Sequence, residues 1–262
     1  MNSSPRVLFV AWQCRANRAI YPVARLLVRG ESPRYEFAYV HGVRDALRHG
    51  FSPFARMRRL DRVYLSDELF PLFGNRVMSP SRPDFLEHLE RLGLDAPADP
   101  ILVLGRSEGR KVTDNLEIFV PPDFDEASGS WVYSAFARGI RHIAGAEEAI
   151  RELRPGDRLA IERDIGNDWD ARALLMLGAS RARVGFVPHT LVEDLDRVLD
   201  LGAPVGALVL RVNPDPAPVQ QRLLVQIRAQ HVEGFQPLAT LRYQALASSS
   251  SRESAKPVLP GR

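Results

Sequence analysis

The sequence predicts an α+β protein, and three observations lead to this fold class. Short segments rich in β-branched and aromatic residues recur along the chain, which is typical of strands. Segments with apolar residues at helical spacing lie among them. A stretch rich in proline and acidic residues, 121–130, separates two such regions. We therefore expect an N-terminal antiparallel sheet with helices, followed by a small β-rich domain.

The N-terminal region, 1–122, begins with three candidate strands at 6–12, 20–28 and 34–40, separated by turn-forming segments. The third alternates Tyr35, Phe37 and Tyr39 with polar and small residues, so one aromatic face and one polar or small face are expected. Further along, the apolar spacing of FLEHLERLGL (85–94) predicts a buried amphipathic helix.

The second domain, 130–235, alternates candidate strands with two candidate helices. The strands are expected at 130–138, 157–163, 172–177, 182–187, 205–212 and 222–229. The helices are expected at 145–153 and 191–200, the second capped by Thr190. Six short strands with only two helices favour a small, partly closed barrel over a doubly wound sheet. The polar segment 236–262 is expected to be a disordered tail.

Composition limits the functional classes. Of the 262 residues, 45% are hydrophobic and 26% charged, so a buried core is expected. A net charge of +3 excludes a polybasic, histone-like binding mode. The positive charge comes almost entirely from arginine, which suits phosphate contacts, although a GC-rich genome produces the same bias. With Cys14 as the single cysteine and no apolar stretch of 18 residues, we expect a cytoplasmic protein with no membrane partner.

Three segments of the second domain resemble the HIRAN family. They are GIRHI (139–143), LAIERDIGNDWDARALLML (159–177) and RVGFVPHTLVEDLDRVL (183–199). The middle one contains the family's loop of the form D-x-x-N-x-aromatic-D-x-x-A, and the last one contains its G-aromatic-hydrophobic-Pro strand. The resemblance covers about 100 residues. It implies an OB-like β-barrel with two helices that binds DNA.

HIRAN domains of fork-remodelling helicases hold the 3′ end of a single strand. By resemblance, Arg141 would contact phosphate, Trp169 would stack on a base and Asp170 would bind the terminal 3′-hydroxyl. His142 and Phe186 stand where that class places a tyrosine and a histidine, which keeps a stacking surface. Two alternatives stay open: Trp169 as a satellite core contact, and His142 as an ordinary half-buried strand histidine.

A weaker resemblance concerns the N-terminal region. The strand YEFAY (35–39) followed by LFPLF (69–73) is similar to the small N-terminal subdomain of HipA-type kinases. In those proteins the subdomain is accessory to a separate catalytic domain. The resemblance implies, as an alternative function, a protein–protein regulator of toxin–antitoxin type.

The sequence gives little support to catalysis. No P-loop or kinase motif is present, and the six histidines lack metal-binding spacing, so no cofactor or metal is expected. Asp164, Asp168 and Asp170 could imitate the carboxylate cluster of a Mg²⁺-dependent nuclease, which is a third alternative. Basic residues cluster at 54–62 and 105–111, either as solvated surface or as a phosphate-tracking groove.

These observations predict a non-enzymatic DNA-binding adaptor that binds single-stranded DNA or 3′ ends. Because the chain carries no motor motif, it would serve a separately encoded DNA-processing, repair or defence partner, such as a helicase, a nuclease or a toxin-like protein.

Overall fold

The structure is a computed structural model that describes residues 6–167 and 170–247, and the backbone of residues 252–254. Its strands are β1 (Arg6–Gln13), β2 (Ile20–Val28), β3 (Tyr35–Tyr39), β4 (Val63–Ser66), β5 (Leu116–Phe119), β6 (Asp123–Asp125), β7 (Ser130–Phe136), β8 (Arg158–Arg163), β9 (Leu174–Leu177), β10 (Arg183–Phe186), β11 (Val205–Val212), β12 (Leu223–Gln230) and β13 (Arg252–Ser254). Its α-helices are α1 (Val43–Arg48), α2 (Pro71–Gly74), α3 (Phe85–Arg91), α4 (Pro100–Ser107), α5 (Ala146–Glu152) and α6 (His189–Asp200). Short 3-10 helices lie at Ile140–His142, Val219–Gln221 and Leu241–Tyr243.

The chain forms two compact units. The first combines the described residues of Met1–Met78, Pro100–Pro121 and Leu238–Arg262, and the second combines Ser79–Asp99 with Pro122–Pro237. No helix in the described part of the chain is long and apolar enough to cross a membrane.

The first unit is built on a six-stranded sheet in the order β13-β4-β3-β2-β1-β5. All its pairs are antiparallel except β13 with β4. The expected meander is therefore present, and together with the antiparallel sheet of the second unit it confirms the α+β class. The structure differs at β3, where all five residues are buried. Glu36 accepts a 2.6 Å hydrogen bond from Arg29, so its charge stays paired within the covered sheet.

Residues 238–247, the described beginning of the segment for which the composition predicts a disordered tail, pack against the first unit's sheet. His41 N donates to Gln244 O at 3.0 Å, and Leu246 N donates to Tyr39 O at 2.8 Å. The ring of Tyr243 is buried and lies 5.3 Å, centroid to centroid, from that of Phe9. The few apolar residues of this segment pack beside the sheet. The prediction missed them because it rested on the average polarity of the whole segment.

The second unit contains a seven-stranded antiparallel sheet in the order β10-β9-β8-β11-β12-β7-β6. Six of these strands lie where the alternating apolar pattern predicts them. The structure also contains β6, which the sequence did not predict. Because β6 pairs with β7, the stretch 121–130 is part of a hairpin and not the linker that its composition predicts. The structure also places α3 in this unit, so the first unit is not the continuous range 1–122. Of the expected buried helix at 85–94, Leu89 and Leu92 are buried whereas Leu86 is 66% exposed.

Helix α6 begins two residues earlier than its apolar pattern predicts. Pro188 precedes its first residue, and Thr190 lies inside the helix, buried, rather than at the cap position. Pro188 therefore occupies the cap position itself, and the helix begins without the side-chain cap that the sequence predicts. This shift brings His189 into the first turn of α6.

Asn213 ties three parts of the second unit together. Its side chain is buried and its amide nitrogen donates to Arg91 O at 2.9 Å and to Gln221 O at 2.7 Å. Its amide oxygen accepts a hydrogen bond from Arg211 Nε at 2.9 Å. Because Arg91 ends α3, this residue fixes that helix to the region between β11 and β12.

We predict that Asn213→Ala lowers the free energy of unfolding by about 2 kcal/mol, because the partly buried carbonyl oxygens of Arg91 and Gln221 lose their donor. Urea denaturation of the full chain measures this. Asn75→Ala is the matched control, since Asn75 is exposed and the same atoms are removed. Equal effects of the two substitutions would contradict the role of Asn213.

Candidate nucleic-acid interface

The candidate site is organised by backbone pairing between Arg138 and Phe186. Arg138 N donates to Phe186 O, and Phe186 N donates to Arg138 O, both at 2.8 Å. Arg138 lies two residues beyond β7, whereas Phe186 is the last residue of β10, at the far end of the strand order. The pairing therefore brings together two sequence segments that carry predicted DNA-binding residues.

Two glycines make this approach possible. At Gly185, where φ is +147°, an added Cβ would lie 2.9 Å from the Cβ of Ala137 and 3.1 Å from the carbonyl oxygen of Arg138. At Gly139, where φ is +66°, it would lie 2.7 Å from the Phe186 ring. Both backbone conformations favour glycine and both spaces exclude a side chain. The ring of Phe186 consequently lies directly against the backbone of the turn that follows β7.

Arg141 and His142 are presented by that turn. Both side chains are exposed, and Arg141 Nε donates a 3.1 Å hydrogen bond to His142 Nε2. His142 is therefore not the half-buried strand histidine of the alternative interpretation: it lies in a 3-10 helix and faces solvent. Phe186 is half-buried, so part of its ring remains accessible.

The loop between β8 and β9 is shaped by its own polar side chains. Asn167 Nδ2 donates to Asp164 Oδ2 at 3.0 Å, and Asn167 Oδ1 accepts from the backbone nitrogen of Asp170, also at 3.0 Å. This is the turn role expected of asparagine and aspartate. Trp169 and Asp168 lie outside the described residues, so the stacking and core interpretations of Trp169 both stay predictions.

Asp170 faces His189. Its Oδ2 lies 3.2 Å from His189 Nδ1, while its Oδ1 accepts a 3.0 Å hydrogen bond from the backbone nitrogen of Arg172. The side chain of Asp170 is 33% exposed, and each carboxylate oxygen has a second lone pair that a ligand hydroxyl could use. His189 was not predicted as a site residue. Sequence reasoning missed it because the predicted helix began two residues later, which left His189 outside α6.

Arg138 is a second residue that sequence reasoning missed. Burial lowers the pKa of its guanidinium to about 10, so the group keeps its charge at neutral pH. Its backbone is held by Phe186, and it precedes Gly139 in the turn that carries Arg141.

The other charged groups give a simpler picture. Among the described residues, no group of three or more His, Cys, Asp or Glu side chains could hold a metal ion. The nuclease alternative also needs Asp168, which lies outside those residues. The basic cluster at 105–111 is not a simple exposed loop, because Arg110 forms ion pairs with Glu108 and Glu117, whose side chains are both largely buried.

Comparison with solved structures gives three similar chains. A protein from Lactobacillus plantarum is 19% identical, with 39% of this chain and 100% of that chain covered, at a TM-score of 0.32. The HIRAN domain of human HLTF is 17% identical, with 38% and 74% covered, at a TM-score of 0.30. The HLTF HIRAN domain in its DNA-bound conformation is 18% identical, with 39% and 73% covered, at a TM-score of 0.27.

Two of these three structures are HIRAN domains. No protein-family model and no curated protein matches the chain.

We predict that Gly139→Ala destabilises the protein more than Gly145→Ala does. Both glycines have positive φ, and giving such a residue a side chain costs about 1 kcal/mol. At Gly145 nothing lies within 4 Å of the added Cβ, whereas at Gly139 the Phe186 ring must move, which adds about 1–3 kcal/mol. Chemical denaturation of the two variants measures the difference. Indistinguishable midpoints would show that the ring does not press against the turn.

Proposed function

We propose that the second unit is a non-enzymatic DNA-binding module that holds single-stranded DNA or a 3′ end. The observation that carries the proposal is the pairing of Arg138 with Phe186, which supports a common site for the HIRAN-like segments around Arg141 and Phe186. His189 lies three residues beyond Phe186, and its contact with Asp170 supports the inclusion of the remaining HIRAN-like segment, 159–177, in this site.

Each predicted residue has a chemical task in this site. Arg141 neutralises a backbone phosphate, and its exposure makes the guanidinium accessible. Phe186 offers a partly accessible ring, and stacking of a base on an aromatic ring contributes about 1–3 kcal/mol. Trp169 is proposed to stack in the same way, and His142 to extend the surface beside Arg141.

Asp170 gives the site its proposed preference for an end. A carboxylate accepts a hydrogen bond from a terminal 3′-hydroxyl but repels a terminal phosphate. The neighbouring imidazole of His189 fixes the orientation of the carboxylate through its Nδ1 contact. The site would therefore discriminate between 3′-hydroxyl and 3′-phosphate ends.

We propose that the protein acts as an adaptor for a separately encoded helicase, nuclease or toxin-like protein. One of the similar solved structures is an HLTF HIRAN domain in its DNA-bound conformation, so DNA is the ligand of that protein. In this chain the DNA-binding unit would place an end or a single strand within reach of the partner. The resemblance of the first unit to HipA-type kinases stays a prediction.

We expect the full chain to bind single-stranded oligonucleotides with micromolar or tighter affinity, and Arg141→Ala to weaken this binding. Loss of one phosphate contact should reduce the slope of log K against log salt by about 0.7. Fluorescence anisotropy over a salt series measures both quantities. Arg158→Ala is the control, because Arg158 is also an exposed arginine of the second unit. Absence of binding to any oligonucleotide at low salt would contradict the proposed function itself.

The end preference is tested with Asp170→Asn. Asparagine keeps the oxygen that accepts from Arg172 N but removes the charge. We expect the wild type to prefer a 3′-hydroxyl over a 3′-phosphate, and the variant to lose most of that preference because the repulsion of the phosphate is gone. Competition between the two oligonucleotides measures it, with Asp123→Asn as the control, because Asp123 is an exposed aspartate of the same unit. A wild type that treats both ends alike would leave only a general binding surface.

A further inference from the structure

The first unit carries a surface that the proposed function does not use. It lies at the hairpin between β1 and β2 and at the end of α1. We propose that this surface is a separate binding site for single-stranded nucleic acid, in which bases stack on aromatic rings and phosphates contact arginines.

The stacking part is a column of three aromatic rings. Trp12 and Tyr21 lie opposite each other on β1 and β2, with ring centroids 6.2 Å apart and planes inclined by 29°. The His49 ring continues the column, 5.2 Å from Tyr21 and inclined by 20°. Burial decreases along it, from Phe51, which is buried against Trp12, to His49, which is exposed. The outer end of the column is therefore open to another flat ring.

The hairpin loop beside this column is held in one conformation. Arg18 N donates to Cys14 O at 3.0 Å, and Cys14 N donates to Ala19 O at 2.9 Å. Gln13 Nε2 donates to Arg18 O at 3.1 Å, and Asn17 Oδ1 accepts from Ala19 N at 3.0 Å. A loop that is already ordered loses little entropy when a ligand binds.

The charged part consists of arginines without acidic partners. Arg15 and Arg18 are exposed in the hairpin loop, and among the described residues neither forms an ion pair. From Arg6 to Gly30 the chain contains no aspartate or glutamate. Cys14, which precedes Arg15, lies with its Sγ 3.7 Å from the carbonyl oxygen of His49, so the loop adjoins the end of the aromatic column.

This combination points to one class of ligand. Unpaired guanidinium groups attract phosphates, whereas an open aromatic face accepts a base only if the base is unstacked. A duplex hides its base faces, and an acidic peptide offers no flat ring at regular spacing. A single strand supplies both groups along one chain. A free nucleotide shares the same chemistry but could use only part of the surface.

The test uses a circular single-stranded DNA and a chain that already carries Arg141→Ala, because the circle offers no 3′ end to the second unit and the substitution removes that unit's proposed phosphate contact. We expect the full chain to bind this circle more tightly than a duplex of equal length or thymidine monophosphate. The double substitution Arg15→Gln and Arg18→Gln should weaken binding at least several-fold and lower the salt slope by about 1.4, because two phosphate contacts are lost.

The matched control is Arg34→Gln with Arg44→Gln, two exposed arginines of the same unit that lie outside the basic cluster 54–62 and whose removal changes the charge equally. If both double variants weaken binding alike, the effect comes from net charge and the site is refuted. It is equally refuted if the circle binds no better than the mononucleotide or the duplex, or if an acidic peptide displaces it at equal concentration.

His49→Ala tests the stacking separately and leaves the arginines intact. We expect affinity for the circle to fall by about five-fold or more, while affinity for an abasic strand of the same length stays unchanged. An equal loss for both probes would contradict stacking. Because the Asp170→Asn variant leaves this surface intact, failure of end recognition and failure of this site are observed independently.

Discussion

The close approach of the Arg138 and Phe186 backbones is the constraint on which the candidate interface depends. Two hydrogen bonds hold the segments together, and the absence of side chains at Gly139 and Gly185 makes room for them. A side chain at either glycine would have to displace a ring or a backbone carbonyl. The position of Arg141 relative to Phe186 follows from this contact, since the turn that carries Arg141 starts at Gly139.

Arginine is abundant in this chain, but many of the arginine side chains are paired with carboxylates of the same unit. Ion pairs hold several of them within their own unit: Arg29 with Glu36, Arg76 with Asp114, Arg163 with Asp196 and Asp200, and Arg222 with Asp215. A guanidinium already paired with a carboxylate contributes little to phosphate binding. Exposed arginines that have no acidic partner among the described residues, above all Arg15, Arg18 and Arg141, are therefore better guides to ligand binding than composition is.

The two proposed nucleic-acid sites differ in their electrostatics. The site in the second unit contains carboxylates, Asp164 and Asp170, beside its cations, and charge of this mixed kind favours selection of one end over another. The hairpin of the first unit contains no acid, which favours binding along a strand without selection.

The sequence by itself determined the α+β class and most of the strands, because alternation of apolar residues is a local property of each segment. Through the resemblance of its motifs to the HIRAN family it also supplied the candidate residues Arg141, His142, Trp169, Asp170 and Phe186. It did not predict β6 or the packing of 238–247, where short or sparse apolar patterns are lost among polar neighbours.

Only the tertiary structure decided which side chains meet. The partnership of Asp170 with His189, the pairing of Arg138 with Phe186 and the column of Trp12, Tyr21 and His49 each join residues that are separated along the chain. Sequence patterns report the periodicity of one element, whereas these contacts depend on how strands are ordered and on where glycine lets two backbones approach. That ordering is set by burial of the whole core, which no single segment encodes.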